Sequence, residues 1–408
     1  MQNNYTLMLE NTPVLSISFS DMETFLWNRD LLPFSLREKI QQPASGNVKE
    51  FYRVMAQNIL HIKDYAASRV LSLSRENAKQ ICAACGVSQD NGIENRVNIC
   101  VSCKGISVND AYWFKQDDSS DTWDSVNIRQ NHLSEIVDVA LGGKQPTLTT
   151  NQICPELTTK GLFKKAWIRE NNDLVLLKSD RFKDFTNTKA EILTSKILDC
   201  TNIPHVKYSP TCYEDLLVAK CKNFVPEDQS FVEAHEIIAF CRDKQIDYMN
   251  FMMEKCGKDF ANMAVMDYVL QNTDRHDQNY GVMMNNETGS IIGLCPLFDH
   301  NQALVADWLG KDVGNTLSQM LPEEHTLDET AQMLEAYAHI EWDRNKWENL
   351  KREYPTQSTL FENIEKRAEK FPCISFVENR EQQYDIEKYI DRFPKPTNHI
   401  QEQEDVTH

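Results

Sequence analysis

The sequence predicts an α+β fold in two lobes, a small mixed lobe built on an antiparallel sheet and a larger helical lobe, preceded by an accessory region that is strand-rich and then helical. Three observations carry that expectation. Residues 164–224 run strand, strand, helix, strand in KKAWIRE, DLVLLKSD, TKAEILTSKILDCT and DLLVAKCKNF, the order of a small antiparallel sheet with one packed helix. Beyond Pro226 the pattern is predominantly helical to about residue 392, interrupted by one strand-turn-strand passage at 280–294. At the start, YTLMLENTPVLSISF (residues 5–19) alternates and turns like a β-hairpin, with Asn11-Thr12-Pro13 as its break.

The elements follow in order. After the hairpin, residues 48 to 140 shift to helical periodicity, clearest in FYRVMAQNILHIKDYAASRVLSL. We read residues 1–140 as the accessory region, with Gly142-Gly143 as a linker or turn. The small lobe spans 141–225 and the helical lobe 226–395. The final stretch, PKPTNHIQEQEDVTH, is polar and contains proline, so residues 396–408 read as a disordered tail.

Composition bounds the function. With 408 residues, 41 % hydrophobic and 25 % charged, the chain is long enough for two or three domains and ordinary enough in composition to fold. Its formal charge of −18 repels phosphate backbones and anionic headgroups, so direct nucleic-acid and membrane partners are disfavoured. No apolar run approaches a membrane span and the start lacks a basic signal region, so the expected location is the cytosol.

The chemistry concentrates in NTDRHDQN, residues 272–279. The helix DFANMAVMDYVLQ leads into this polar loop, and the hairpin YGVMM-NNETG-SIIGL leads out of it to PLFDH. Because a hairpin brings its ends together, Asp299 can lie near Asn279. That layout suits phosphoryl transfer from a magnesium nucleotide, which needs an aspartate at the attacking hydroxyl and oxygen ligands for Mg²⁺. Asp274 and Asn279 have the Asp-x4-Asn spacing of a kinase catalytic loop.

NTDRHDQNYGV followed by PLFDHNQAL resembles the HipA-like family of bacterial serine/threonine kinases, with an Asp-Arg-His echo of phosphoinositide lipid kinases. The similarity extends upstream through LTTKGLFKKAWI, LVLLKSD, AEILTSKIL and VAKCKNF, covering roughly residues 145–305. It implies a two-lobed protein-kinase-like fold with ATP in the cleft. Residue by residue, it implies Asp274 as catalytic aspartate and Asn279 and Asp299 as Mg²⁺ ligands. Lys178 would contact the phosphates, and Glu191 would orient it or be an ordinary first-turn helix charge. His276 and Arg275 would stabilise the transferred phosphate or brace the loop, and Asp277 would be solvated.

The loop LTTKGLFKK stands where a phosphate-covering turn belongs. It matches neither GxxxxGK[ST] nor GxGxxG, but the amides around Thr159, Lys160 and Gly161 are candidates to cradle phosphate. Thr158 and Thr159 are candidate self-phosphorylation sites. The strand VAKCKNF would be the hinge, offering backbone near Lys220, Cys221 and Lys222 to an adenine. One departure is His300-Asn301, where many relatives have a small residue and glycine.

Cys82-x2-Cys85 and Cys100-x2-Cys103 approach the spacing of a four-thiolate Zn²⁺ site. Packing as small apolar groups is the favoured alternative. Tyr112-Trp113-Phe114 is read as core.

The leading expectation is an ATP-dependent kinase acting on a protein hydroxyl. The alternatives are a lipid or small-molecule kinase, and a catalytically weak kinase-fold protein that works through a small DNA-binding antitoxin-like partner. No helix-turn-helix is visible in the chain, so DNA contact would come from that partner.

Overall fold

The computed structural model describes residues 4–43, 46–131, 136–146, 154–180 and 184–378. The tail expected at 396–408 and the end of the helical lobe lie outside them. Among the described residues, no helix is long and apolar enough to cross a membrane.

The N-terminal hairpin forms as β1 (Asn4–Leu9) and β2 (Thr12–Ser18). Its turn falls one step earlier than the sequence suggests. Glu10 takes the left-handed backbone at φ 52°, and Thr12 and Pro13 already belong to β2. The ladder slips register at Leu7/Met8, beside the Met8–Pro13 pair, which is where a residue without an N–H is tolerated. β3 (Glu23–Leu26) and β4 (Tyr112–Gln116) complete a four-stranded sheet in the order β3-β2-β1-β4. Tyr112, Trp113 and Phe114 are all buried. Successive strand residues point to opposite faces, so both faces of β4 are covered.

Between β3 and β4 lies the helix Val48–Ser68. Asn47 caps it by accepting from the Glu50 amide at 3.1 Å, and Met55, Ile59, Ile62 and Ala66 form its buried stripe. The helices Ala78–Ala84 and Ile93–Ser102 follow.

The small-lobe sheet is β5 (Lys164–Glu170), β6 (Asp173–Ser179), β7 (Ser209–Tyr213) and β8 (Leu216–Lys222), in the order β5-β6-β8-β7 and antiparallel throughout. The helix Thr186–Leu198 sits between β6 and β7 in sequence. β7, SPTCY, is a largely exposed edge strand whose composition gives little strand signal.

The helical lobe centres on Lys258–Val269, buried on every side from Phe260 onward, as expected of a helix at the middle of a lobe. Two features there depart from the helical expectation. β10 (Gly281–Asn285) and β11 (Ile291–Leu294) are the strand-turn-strand expected at 280–294, but β10 also pairs with β9 (Gln229–Glu233), which was not expected. β12 (Ile340–Asp343) and β13 (Ile374–Val377) form a parallel pair. Both depend on pairing between segments distant in sequence, which local periodicity does not report.

The accessory region is joined to the helical lobe by hydrogen bonds at β9. The Phe231 amide donates to the Asn109 carbonyl at 2.7 Å, and Arg129 Nη1 donates to the Pro226 carbonyl at 2.8 Å. One continuous apolar core runs through the accessory region and both lobes.

Candidate active site

The site begins with the register of β5 on β6, which sets Lys165 directly opposite Lys178. Directly opposed residues share a face, and like charges there repel. Here they are offset by carboxylates. Lys178 Nζ lies 2.7 Å from Glu191 Oε1 and 2.7 Å from Asp299 Oδ1, and Lys165 Nζ lies 3.7 Å from Asp299 Oδ2. Glu191 projects from the helix Thr186–Leu198, so the strand-to-helix ion pair is present, and both partners are buried. Burial alone would push the Asp299 carboxyl up, but Lys178 and Lys165 outweigh it and hold it below the usual carboxylate range. Burial would likewise lower Lys178, but Asp299 and Glu191 hold it charged, above its ordinary value.

Residues 272–279 form the polar loop that follows the central helix. Arg275 is its brace and is almost wholly buried. Its Nε and Nη2 donate to the two carboxylate oxygens of Asp267 at 2.9 and 3.0 Å. Its Nη1 donates to the Asn279 carbonyl at 2.8 Å and to the Phe298 carbonyl at 2.7 Å. One guanidinium thus ties the polar loop to the segment carrying Asp299, and Arg275 is not among the residues that line the cleft. Asp299 itself adopts φ 55°, a left-handed conformation that aspartate tolerates better than most residues.

Asp274 and His276 are half-buried and line the cleft. Burial pushes the Asp274 carboxyl up and Asp299 adds to it, while His276 and Arg275 pull the other way; the net direction is upward. His276 Nδ1 accepts from the Gln278 amide at 3.2 Å. Asn279 Nδ2 donates to the Asp274 carbonyl at 2.7 Å. This fixes the amide so that its oxygen is the end left for a hard cation. Asp277 is half-buried rather than solvated, and its carbonyl accepts from the His235 amide.

The covering loop lies across this cleft, a cavity of about 700 Å³. Thr159, Lys160 and Gly161 line it. Lys160 Nζ reaches Glu233 Oε2 at 2.8 Å, and His235 Nδ1 lies 3.0 Å from the same oxygen. Burial alone would raise Glu233, but Lys160 and His235 bring it down to about 2. The two threonine hydroxyls are engaged by main-chain carbonyls. Thr158 Oγ1 donates to the Ile106 carbonyl and Thr159 Oγ1 to the Pro155 carbonyl, and both residues are buried.

On the hinge strand β8, Cys221 is buried against the cleft and Lys222 lies at its mouth, where it pairs with Asp173. Lys220 does not line the cleft. Its ammonium meets Glu170 at 3.1 Å on the face of the sheet opposite to Cys221.

Several cleft residues escaped the sequence reading. Lys165 carries no motif, and only its register opposite Lys178 marks it. Phe224 and Phe298 stack at 5.3 Å and Phe231 stands edge-on to both at 5.5 Å, making an apolar wall fit for a flat ring. Phe298 adjoins Asp299, which was the available signal. Asn109 and Arg96, from the accessory region, also line the cavity.

The departure at His300-Asn301 has a structural expression. Both side chains are buried, and Asn301 Nδ2 donates to Asp299 Oδ1 at 2.6 Å. The oxygen of Asn301 and Nε2 of His300 are buried without a partner among the described residues.

Cys82, Cys85, Cys100 and Cys103 are all buried in the apolar core. Cys103 Sγ donates to the Cys100 carbonyl at 3.3 Å, and burial pushes the Cys82 and Cys103 thiols up to about 11. Among the described residues no three His, Cys, Asp or Glu side chains are grouped to hold a metal ion, and the four thiols are not so gathered. The Asn279–Asp299 pair is of another kind, one amide and one carboxylate.

No family model matches the sequence, and none of the curated proteins matches it. Solved structures do resemble the fold. One is HipA of Shewanella oneidensis MR-1, solved as a toxin–antitoxin complex with HipB and its operator DNA. It has a TM-score of 0.50 and 12 % identity, over 90 % of this chain and 88 % of that one. Another is the Helicobacter pylori proinflammatory kinase CtkA, with a TM-score of 0.39 and 16 % identity over 52 % of this chain and 89 % of that one. The likeness to HipA establishes the class: an α+β, two-lobed kinase-like fold of the HipA type with an N-terminal accessory region.

Proposed function

We propose that the protein is an ATP- and Mg²⁺-dependent phosphotransferase that moves the γ-phosphate to a serine or threonine hydroxyl of a protein. The observation that carries this reading is Lys178 held 2.7 Å from both Glu191 and Asp299, inside a cleft that Asp274 and Asn279 also line. A kinase-like fold supports it.

In this mechanism Lys178 binds the phosphates and Glu191 keeps its ammonium aimed into the cleft. Asp274 holds the attacking hydroxyl and takes its proton on a carboxylate oxygen, aided by a basicity that burial raises. Arg275 braces Asp274 and Asn279 against the Asp299 segment. Mg²⁺, held by the Asn279 oxygen and a carboxylate oxygen of Asp299, would neutralise charge on the phosphates. The Phe224–Phe298–Phe231 wall takes the base.

The test is transfer of labelled γ-phosphate into the protein itself and into a cell extract. Asp274→Asn and Asp299→Ala should each abolish it while circular dichroism stays native. Full transfer in both variants would remove the mechanism.

A second reading is favoured by one contact. Asn301 Nδ2 on Asp299 Oδ1 competes for an oxygen that a metal would take, which fits a slow kinase or a kinase-fold binding protein. Because HipA was solved with HipB, the partner proposed for either reading is a small DNA-binding antitoxin-like protein. A lipid substrate fits less well with a net charge of −18. A cytosolic location remains part of this proposal.

A further inference from the structure

Arg75 lies in the accessory region, between the helices Val48–Ser68 and Ala78–Ala84, and is 2 % exposed. A buried arginine usually meets a carboxylate. Arg75 instead donates to main chain: Nη1 to the carbonyls of Glu156 at 2.8 Å and Thr159 at 3.0 Å, and Nη2 to that of Lys165 at 2.7 Å. The nearby Glu156 carboxylate is taken by the Trp167 amide and the Cys154 thiol. Thus a full charge is committed to the start, middle and end of one loop, the segment covering the cleft.

Other bonds from the accessory region fasten the same loop. The Leu71 amide donates to the Leu157 carbonyl at 2.7 Å and the Glu76 amide to the Leu162 carbonyl at 3.0 Å. Thr158 Oγ1 donates to the Ile106 carbonyl at 2.8 Å.

The direction of these bonds matters. In a trans peptide the carbonyl and the following N–H point opposite ways, so turning the Thr159 carbonyl onto Arg75 turns the Lys160 N–H away from it. Thr159, Lys160 and Gly161 line the cavity and Arg75 does not. Among the described residues, the Lys160 and Gly161 amides have no main-chain acceptor. Gly161 supplies the φ of +97° that the turn requires. Consecutive amides facing one concavity form an anion nest.

We infer that Arg75 is a positioning residue for phosphate binding: it holds the loop 156–165 so that its amides face the phosphates of the nucleotide, which makes the accessory region part of the phosphate site. This rests on the kinase reading and assigns residues 46–131 a task that reading leaves open.

Calorimetry on the full chain with Mg²⁺ separates the two. Arg75→Ala should weaken ATP by at least about tenfold and leave adenosine, which has no phosphate, unchanged. Arg75→Lys should recover part of the loss, since an ammonium keeps the charge but spans fewer carbonyls. Unchanged ATP affinity in Arg75→Ala, or a parallel fall for ATP and adenosine, overturns the inference while leaving the kinase reading intact. Should Arg75→Ala not fold, the ATP-to-adenosine ratio of Arg75→Lys decides in the same way. A wild-type chain that binds neither ligand overturns the kinase reading, and the inference with it.

Discussion

Two antiparallel four-stranded sheets in this molecule share a size and differ in what they bury. The accessory sheet β3-β2-β1-β4 buries Tyr112, Trp113 and Phe114 on its last strand, and the polar tips of two of them are satisfied. Tyr112 Oη donates to the Leu31 carbonyl and Trp113 Nε1 to the Glu10 carbonyl. The small-lobe sheet β5-β6-β8-β7 has such a face too, with Ala166 opposite Leu177, but its other face sets Lys165 opposite Lys178. The first arrangement lowers the free energy of folding and asks of the rest only two main-chain carbonyls. The second is unfavourable until Glu191 and Asp299 arrive from other elements. Under the proposed function, the face that sets these two lysines side by side is where the nucleotide's negative charge would lie.

The comparison breaks first at Lys178. Lys178→Met leaves Glu191 and Asp299 buried without their shared cation, so it should abolish phosphate transfer and cost about 3–5 kcal/mol, read by urea unfolding. A variant of normal stability and full transfer would mean that the lysine face is ordinary packing. Trp113→Ala should cost a similar 3–5 kcal/mol or so yet leave ATP affinity unchanged well below its melting temperature; lost ATP binding in a folded variant would erase the distinction between the sheets.

Acid sharpens it further. Glu233 has a folded pKa of about 2 against an ordinary 4.5, so the stability it contributes through Lys160 and His235 is fully present above about 4.5. It is lost as pH falls toward 2. Glu233→Gln should therefore flatten the acid limb of the melting-temperature profile in that window, and an unaltered slope would show that the Lys160 contact adds nothing. The smallest effect belongs to Lys220→Ala, away from the cleft. With only an exposed pair to lose, it should change stability by less than about 0.5 kcal/mol and leave transfer at wild-type rate; a large loss would return Lys220 to the cleft.

Much of this organisation was legible because it is local. KKAWIRE and DLVLLKSD alternate as strands must, AEILTSKIL repeats as a helix must, and the hairpin after NTDRHDQN announces that Asp299 returns toward Asn279. The thirteen-position step from Lys178 to Glu191 suffices to suggest their pairing. β9 and the β12–β13 pair were not legible, since their partners lie far away in the chain. At the hinge, spacing marks the backbone near Lys220 to Lys222 as one stretch, and only the folded strand shows that Cys221 and Lys222 line the cleft while the Lys220 side chain turns to Glu170. The threonine hydroxyls of the covering loop looked available in sequence, but the acceptors that take them, Ile106 and Pro155, are seen only once the chain is folded.

By itself, the sequence determined the α+β class, the order of its elements and the identity of the polar groups in the loop at 272–279, because periodicity and spacing act over a few residues. Tertiary structure alone decided which charges meet. Lys165 becomes a cleft residue through strand register, Arg275 a brace through two carbonyls nineteen positions apart in sequence, and Arg75 a clamp on a loop some eighty residues downstream. Charge pairing in a buried site depends on distance and desolvation, and neither is written along the chain.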